Sequence, residues 1–209
     1  MSESDLLGLS LAEVDAAIDS LAKSGHGLAG FLFDSLFSTE GLNTLPAGYI
    51  LGVTERVHAA GGLVVADEVQ SGFGRTGTHL WGHQNIGAVA DFVPLGKPMG
   101  NGHPIGGVVT SSRMLDHFGP HSNYFNTFAG TPVSAAVGST VLAILADEQL
   151  PEKAAVLGLA IKDALEASAR SIPSLGPLRE AASFSASRSS AMKRNRSPPQ
   201  NGPNGWWKQ

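Results

Sequence analysis

No cysteine occurs among the 209 residues, so a disulfide framework, a thiolate metal site and a cysteine nucleophile are all excluded. Long apolar runs are missing too: no stretch approaches the roughly twenty apolar residues that a membrane-spanning helix needs. A secretory leader would open on basic residues, whereas this chain opens on the acidic Met1-Ser2-Glu3-Ser4-Asp5. The cytoplasm, or an organelle matrix, is the compartment expected. Charged residues make up only 15% of the chain against 42% hydrophobic, with 26 glycines, which describes a globular, loop-rich protein rather than a solvating or fibrous one. The charge is unevenly spread. Residues 172–209 hold six lysines and arginines against one glutamate, about +5 within a net charge of −4, so the first 171 residues carry about −9.

Periodicity divides the first part into alternating elements. Leu11, Val14, Ile18 and Leu21 form a helical stripe that runs to Lys23, with Ser10 as the expected N-cap. A strand is predicted over Leu28–Asp34, followed by a polar loop through Pro46. Tyr49, Val53 and Val57 recur at fours, and Gly61-Gly62 should stop that helix before a buried strand at Leu63–Ala66. Phe92–Leu95 and Gly106–Thr110 are further short strands, the former weakened by Pro94, which cannot donate to a ladder. Val133 to Leu145 gives an amphipathic helix and Pro151 to Arg170 a second. Strands alternating with helices imply an α/β sheet. From about Ser171 neither period persists, and serine, proline and arginine dominate up to Trp206-Trp207; on composition this tail is expected to be disordered.

Chemistry concentrates at two places. Ala66-Asp67-Glu68-Val69-Gln70 leaves a buried strand, and Leu95-Gly96-Lys97-Pro98 leaves another, with Lys97 thirty residues from Asp67. Ligands of parallel α/β sheets sit at the carboxyl ends of strands, so an acid and a lysine placed this way can meet at one small molecule. Taken singly, Asp67 reads as a turn or cap residue and Lys97 as a solvated cation. The setting argues otherwise: Gly96, Pro98, Gly100, Gly102 and Pro104 put Lys97 in a backbone built for unusual turns. In a tight, low-polarity pocket there, a lysine would become a usable amine for Schiff-base chemistry. No metal site is predicted, because His79, His83, His117 and His121 lack ligand spacing on one face, and His103 in the lysine loop reads as structural. Gly72-Phe-Gly-Arg-Thr-Gly77 departs from Gly-x-Gly-x-x-Gly and follows the acid instead of opening a helix, which argues against a dinucleotide site. Arg75 is expected to order that glycine loop.

Three segments together, Ala66-Asp-Glu-Val-Gln-Ser-Gly-Phe-Gly-Arg-Thr-Gly77, Leu95-Gly-Lys-Pro-Met-Gly-Asn-Gly-His-Pro104 and Phe125-Asn-Thr-Phe-Ala-Gly130, resemble the signature of the class III, pyridoxal-phosphate-dependent aminotransferases. The similarity runs from about Leu11 to Arg170. It implies part of the large domain of a fold type I enzyme, a mainly parallel sheet flanked by helices. It implies pyridoxal 5'-phosphate as cofactor, held as an internal aldimine by Lys97, which would later move the substrate proton. Asp67 would pair with the pyridinium nitrogen and keep the ring an electron sink. By the same resemblance Val69 packs on the ring face, Gln70 approaches the ring hydroxyl, and Thr127 bonds the cofactor phosphate of a neighbouring subunit in a homodimer. The competing reading of Thr127 is a loop hydroxyl bonded to its own backbone.

The reaction implied is amino-group transfer between an amine or amino acid and a 2-oxo acid or aldehyde. The alternatives are phospho-lyase chemistry within the same family, or an inactive fragment. Neither nucleic acid nor membrane is an expected partner. Members of the family carry, ahead of the helix at Leu11, a Gly-Ser-Glu-Ala-type phosphate loop and an aromatic that stacks on the ring, to which nothing here corresponds. Residues 1–170 are therefore expected to be a partial cofactor-binding domain. Residues 171–209 stand where a small C-terminal domain belongs, and permitted codons for Arg179 to Ser190, read one nucleotide out of phase, encode a glycine-rich, apolar, strand-like sequence. A disordered or out-of-frame tail is the expectation there.

Overall fold

Ser2, not Ser10, caps the first helix. The computed structural model describes residues 2–38 and 44–170 and the strand backbone of Leu175–Ala181 and Phe184–Ser189. Helix α1 spans Glu3–Lys23: the Ser2 side chain accepts from Asp5 N, and the Asp5 carboxylate accepts from Ser2 N, a reciprocal cap that starts the helix two turns early. Ser10 sits inside it. Strand β1 (Gly30–Asp34) follows, then α2 (Tyr49–Ala59) and β2 (Leu63–Asp67). Gly61 ends α2 at φ +80°, and the Gly62 amide returns to Val57 O at 2.9 Å, so the glycine pair stops the helix as its sequence predicts.

A short helix α3 (Gly82–Asn85) precedes β3 (Phe92–Leu95) and β4 (Gly107–Thr110). The strands lie in the order β1-β2-β3-β4, the first three parallel and β4 antiparallel to β3. Pro94 is tolerated in a central strand because only its donor is lost; its carbonyl accepts the Glu68 amide at 3.1 Å. One face of the sheet is buried under α2 by Phe33, Val64 and Ala66 from the strands and Ile50, Val53 and Val57 from the helix, with Leu11 and Val14 of α1 added at the rim. Val53, Val57 and Val64 are each at most 2% exposed, so each contributes about 1.5–3 kcal/mol, an upper figure for a fully extended unfolded chain.

Helix α4 (Ser112–His121), with no counterpart in the periodicity, leads to α5 (Pro132–Asp147) and α6 (Leu150–Ala169). Thr131 caps α5 and Pro132 takes its first position. The apolar stripes of these two helices are largely open: Val133, Val156 and Leu157 are all more than half exposed. Among the described residues no single helix is long and apolar enough to cross a membrane. In the tail, where composition shows no period, β5 (Leu175–Ala181) and β6 (Phe184–Ser189) pair antiparallel, with an irregularity between Leu175 and Leu178 where Gly176 and Pro177 interrupt the ladder. The rest of the expected tail lies outside the described residues.

Candidate active site

The ends of β2 and β3 bring the two chemical motifs together. Asp67 closes β2 in register with Asp34 at the end of β1. Its Oδ1 accepts the Val69 amide at 2.9 Å, which turns the chain out of the strand. Among the described residues its Oδ2 has no hydrogen-bond partner. Val69 reaches back across the sheet: a Cβ placed on Gly96 would lie 3.3 Å from Val69 Cγ2, so Gly96 leaves room for that side chain immediately before Lys97. Val69 is thus the physical link between the acid motif and the lysine loop, held by Asp67 through its amide and seated on Gly96 through its side chain.

Lys97 does not have the enclosure that its sequence setting suggests. The turn backbone is present, yet the side chain is exposed and lines an open cavity of about 360 Å³ with Phe73, Arg75, Asn101 and the α5 residues Val141 and Ile144. Gln70 is engaged elsewhere: its Nε2 donates to Ser38 Oγ at 2.7 Å, and the Ser38 hydroxyl donates to Asp34. That chain ties the acid motif to the loop after β1. Thr127 lies on an exposed turn between Phe125 and Phe128, which are 84% and 83% exposed. Its hydroxyl has no hydrogen-bond partner among the described residues, so the local backbone bond weighed for it is absent. Asp67, Val69, Gln70 and Lys97 therefore leave one end of the sheet, whereas Thr127 lies on the exposed turn ahead of α5.

A residue of the same motif, unassigned by sequence reasoning, organises the surroundings. Glu68 is fully buried. Its Oε1 accepts from Ser35 Oγ (3.1 Å), His83 N (2.7 Å) and His83 Nδ1 (2.8 Å), and its Oε2 from Ser71 Oγ (2.7 Å) and Gly82 N (2.8 Å). Burial pushes this carboxyl up, but the His83 side chain and amide, the Ser71 hydroxyl and the Gly82 amide together outweigh it and hold Glu68 below the ordinary glutamate value. The arrangement fastens the glycine loop and the start of α3 to the end of β2. A signal for it exists in the sequence, since Val64, Ala66 and Glu68 alternate on the buried side of the strand and its continuation. The glycine loop itself packs on α6, where a Cβ on Gly77 would lie 2.8 Å from Ala155 Cβ. Phe73 within it holds φ +61° and meets the Trp81 ring edge-on at a centroid distance of 5.2 Å.

Comparison with known proteins agrees with this geometry. The family model "Aminotransferase class-III" matches residues 5–195. An alanine–glyoxylate aminotransferase 2-like protein of Drosophila melanogaster is 40% identical over 159 residues, 75% of this chain and 32% of the relative. A phospholyase from Arthrobacter, solved in complex with phosphoethanolamine, superposes with a TM-score of 0.84 at 55% identity, covering 87% of this chain and 44% of that one. The taurine:2-oxoglutarate aminotransferase of Bifidobacterium kashiwanohense, solved with PLP and glutamate, superposes with a TM-score of 0.80 at 27% identity, covering 90% of this chain and 42% of that one. The chain spans about a third of the length of the curated relatives it matches. With its motifs gathered at the carboxyl edge of a mainly parallel sheet, the chain belongs to the class III aminotransferases, a fold type I family whose cofactor is pyridoxal 5'-phosphate.

Proposed function

We propose that this chain carries the cofactor-binding part of a transaminase, moving an amino group between an amine or amino acid and a 2-oxo acid or aldehyde. The observation that supports the reading is the bridge made by Val69, whose amide is held by Asp67 and whose side chain rests on Gly96 beside Lys97. The residues fit the cofactor's chemistry: a carboxylate oxygen of Asp67 remains open for a ring N–H, and Lys97 offers an amine from a loop whose preceding glycine makes space. When bound, pyridoxal phosphate supplies an aldehyde for a Schiff base with an amine and a ring that draws electrons from the reacting carbon.

In this reading Asp67 binds the ring nitrogen and keeps its proton in place, and Val69 lies on the ring face. Gln70 approaches the ring hydroxyl from the position that Ser38 fixes. Lys97 Nζ holds the cofactor and then carries the substrate proton. Thr127 serves a second copy of the chain in a homodimer, which its exposed place between Phe125 and Phe128 suits. Residues 1–170 then form part of the large domain, and the remainder stands in the place of a small domain with an out-of-frame sequence, which the nucleotides of the gene decide.

A second reading is favoured by the 55% identity to the Arthrobacter phospholyase: elimination of phosphate from an amino-alcohol phosphate with the same residues and cofactor. Mixing the full chain with pyridoxal phosphate, reducing with borohydride and mapping the modified peptide tests the common part. We expect the cofactor's mass on the Lys97 peptide and its loss in Lys97→Ala; an unmodified wild-type peptide would sink the proposal and leave a chain that does not hold the cofactor. Phosphoethanolamine then separates the two reactions, since only the lyase releases inorganic phosphate from it, and amino transfer to 2-oxoglutarate marks the transaminase.

A further inference from the structure

The loop that carries Lys97 belongs to no helix or strand. It winds through three successive turns, with Met99 N donating to Gly96 O at 2.8 Å, Asn101 N to Pro98 O at 3.2 Å and His103 N to Gly100 O at 2.9 Å. The winding is tight: Asn101 and Gly102 hold φ of +43° and +104°, and a Cβ on Gly100 would stand 2.2 Å from His103 O. The ends of the loop are held by the pairing of Leu95 with Gly107 and by Val69 against Gly96. Two side chains seat its body, both against one face of α5. His103 Nε2 is 2.9 Å from Ser134 Oγ, and one helical turn further on Ile105 Cδ1 lies over Gly138, 3.6 Å from where its Cβ would be.

The serine is itself oriented. Its amide donates to Thr131 Oγ1 at 3.2 Å, and the Thr131 hydroxyl donates to Ser134 Oγ at 2.9 Å, leaving the Ser134 proton for His103 Nε2. The cap of α5 thus sets the direction of the bond that receives the loop. The same helix supplies Val141, Ile144 and Leu145 to the wall of the cavity that Lys97 lines, so sliding the loop along α5 would move Lys97 against that wall.

We infer that His103 is the positioning residue of Lys97, fixing the register of the lysine loop on α5 through Ser134. The consequence for cofactor binding rests on the reading of Lys97 given above, whereas the clamp itself does not. Amide hydrogen exchange of the full chain without cofactor, read by mass spectrometry, tests it directly. In His103→Ala and in Ser134→Ala, peptides spanning 96–105 and the first turn of α5 should exchange about fivefold faster, the effect of one neutral hydrogen bond on a local opening. The double variant should add nothing further. His103→Gln, whose amide can offer an acceptor near the place of Nε2, should restore most of the protection.

Unchanged exchange over 96–105 overturns the inference, as does equal acceleration in β1 and α2, which would mean general loss of stability. Additive effects in the double variant also overturn it, because the two side chains would then act separately. With pyridoxal phosphate and borohydride, His103→Ala should modify Lys97 less completely than wild type does. A wild-type chain left unmodified counts against the cofactor reading alone, and the exchange result still decides the clamp.

Discussion

Replacing Glu68 by glutamine removes a charge and one acceptor while keeping the shape of the side chain, and the structure says how costly that is. Each carboxylate oxygen accepts from a backbone amide, Oε1 from His83 N at 2.7 Å and Oε2 from Gly82 N at 2.8 Å. No orientation of the new amide avoids setting its NH₂ group against one of them. Ser35 and Ser71 can turn their hydroxyls to accept; a backbone N–H cannot. One buried donor left without an acceptor costs about 1–3 kcal/mol. Loss of the carboxylate that faces His83 Nδ1 at 2.8 Å removes the charge-assisted part as well. The stranded amide alone, at about 1–3 kcal/mol, is a large share of the roughly 5–15 kcal/mol that holds an ordinary domain folded.

Urea unfolding followed by tryptophan fluorescence measures this, and pH gives a second signature. Because the folded protein holds Glu68 below its ordinary value, its contribution is complete above the ordinary carboxylate range and disappears as pH falls through the lowered value. Glu68→Gln should therefore lose stability at neutral pH and show a flatter acid limb. A change of less than about 1 kcal/mol at neutral pH, or an acid limb as steep as the wild type's, would refute the reasoning.

Gly77 holds φ +83° with Ala155 backbone atoms 2.9 Å from where a Cβ would be, so Gly77→Ala should cost more than about 1 kcal/mol through both strain and overpacking; a thermal melt within a degree of wild type would contradict it. Asp91 accepts the Val64 amide at 2.8 Å and lies 2.9 Å from His58 Nε2. Burial pushes its carboxyl up, but Val64, His58 and the nearby Arg113 hold it below the ordinary range, so its stabilisation too is lost as pH falls through that lowered value. Asp91→Asn should cost about 1–2 kcal/mol at neutral pH and weaken the acid dependence, measured by urea titration at several pH values.

The strands of this sheet were legible because their apolar runs are short and stop at glycine or acid, as at Leu63–Asp67. The cap of α1 was not, because Ser2 and Asp5 lie eight and five residues ahead of the nearest such residue, Ser10, while the apolar stripe starts only at Leu11. Asp67 and Lys97 could be paired from their places after two buried strands, and the sheet does bring them to one edge. What holds them is harder to read. Glu68 looks like the solvated neighbour of an acid until the alternation of Val64 and Ala66 is carried past the strand end, and its partners Ser35, Gly82 and His83 come from loops without period. The exposure of Lys97 and that of Thr127 share a further cause. Both depend on surfaces, the open faces of α5 and α6 and the turn around Phe125 and Phe128, that this chain leaves uncovered among its described residues. A motif can therefore place an acid and a lysine at one edge while the water around them is governed by whatever covers those faces. That is why the meeting of Asp67 and Lys97 was readable from spacing and the enclosure of Lys97 was not.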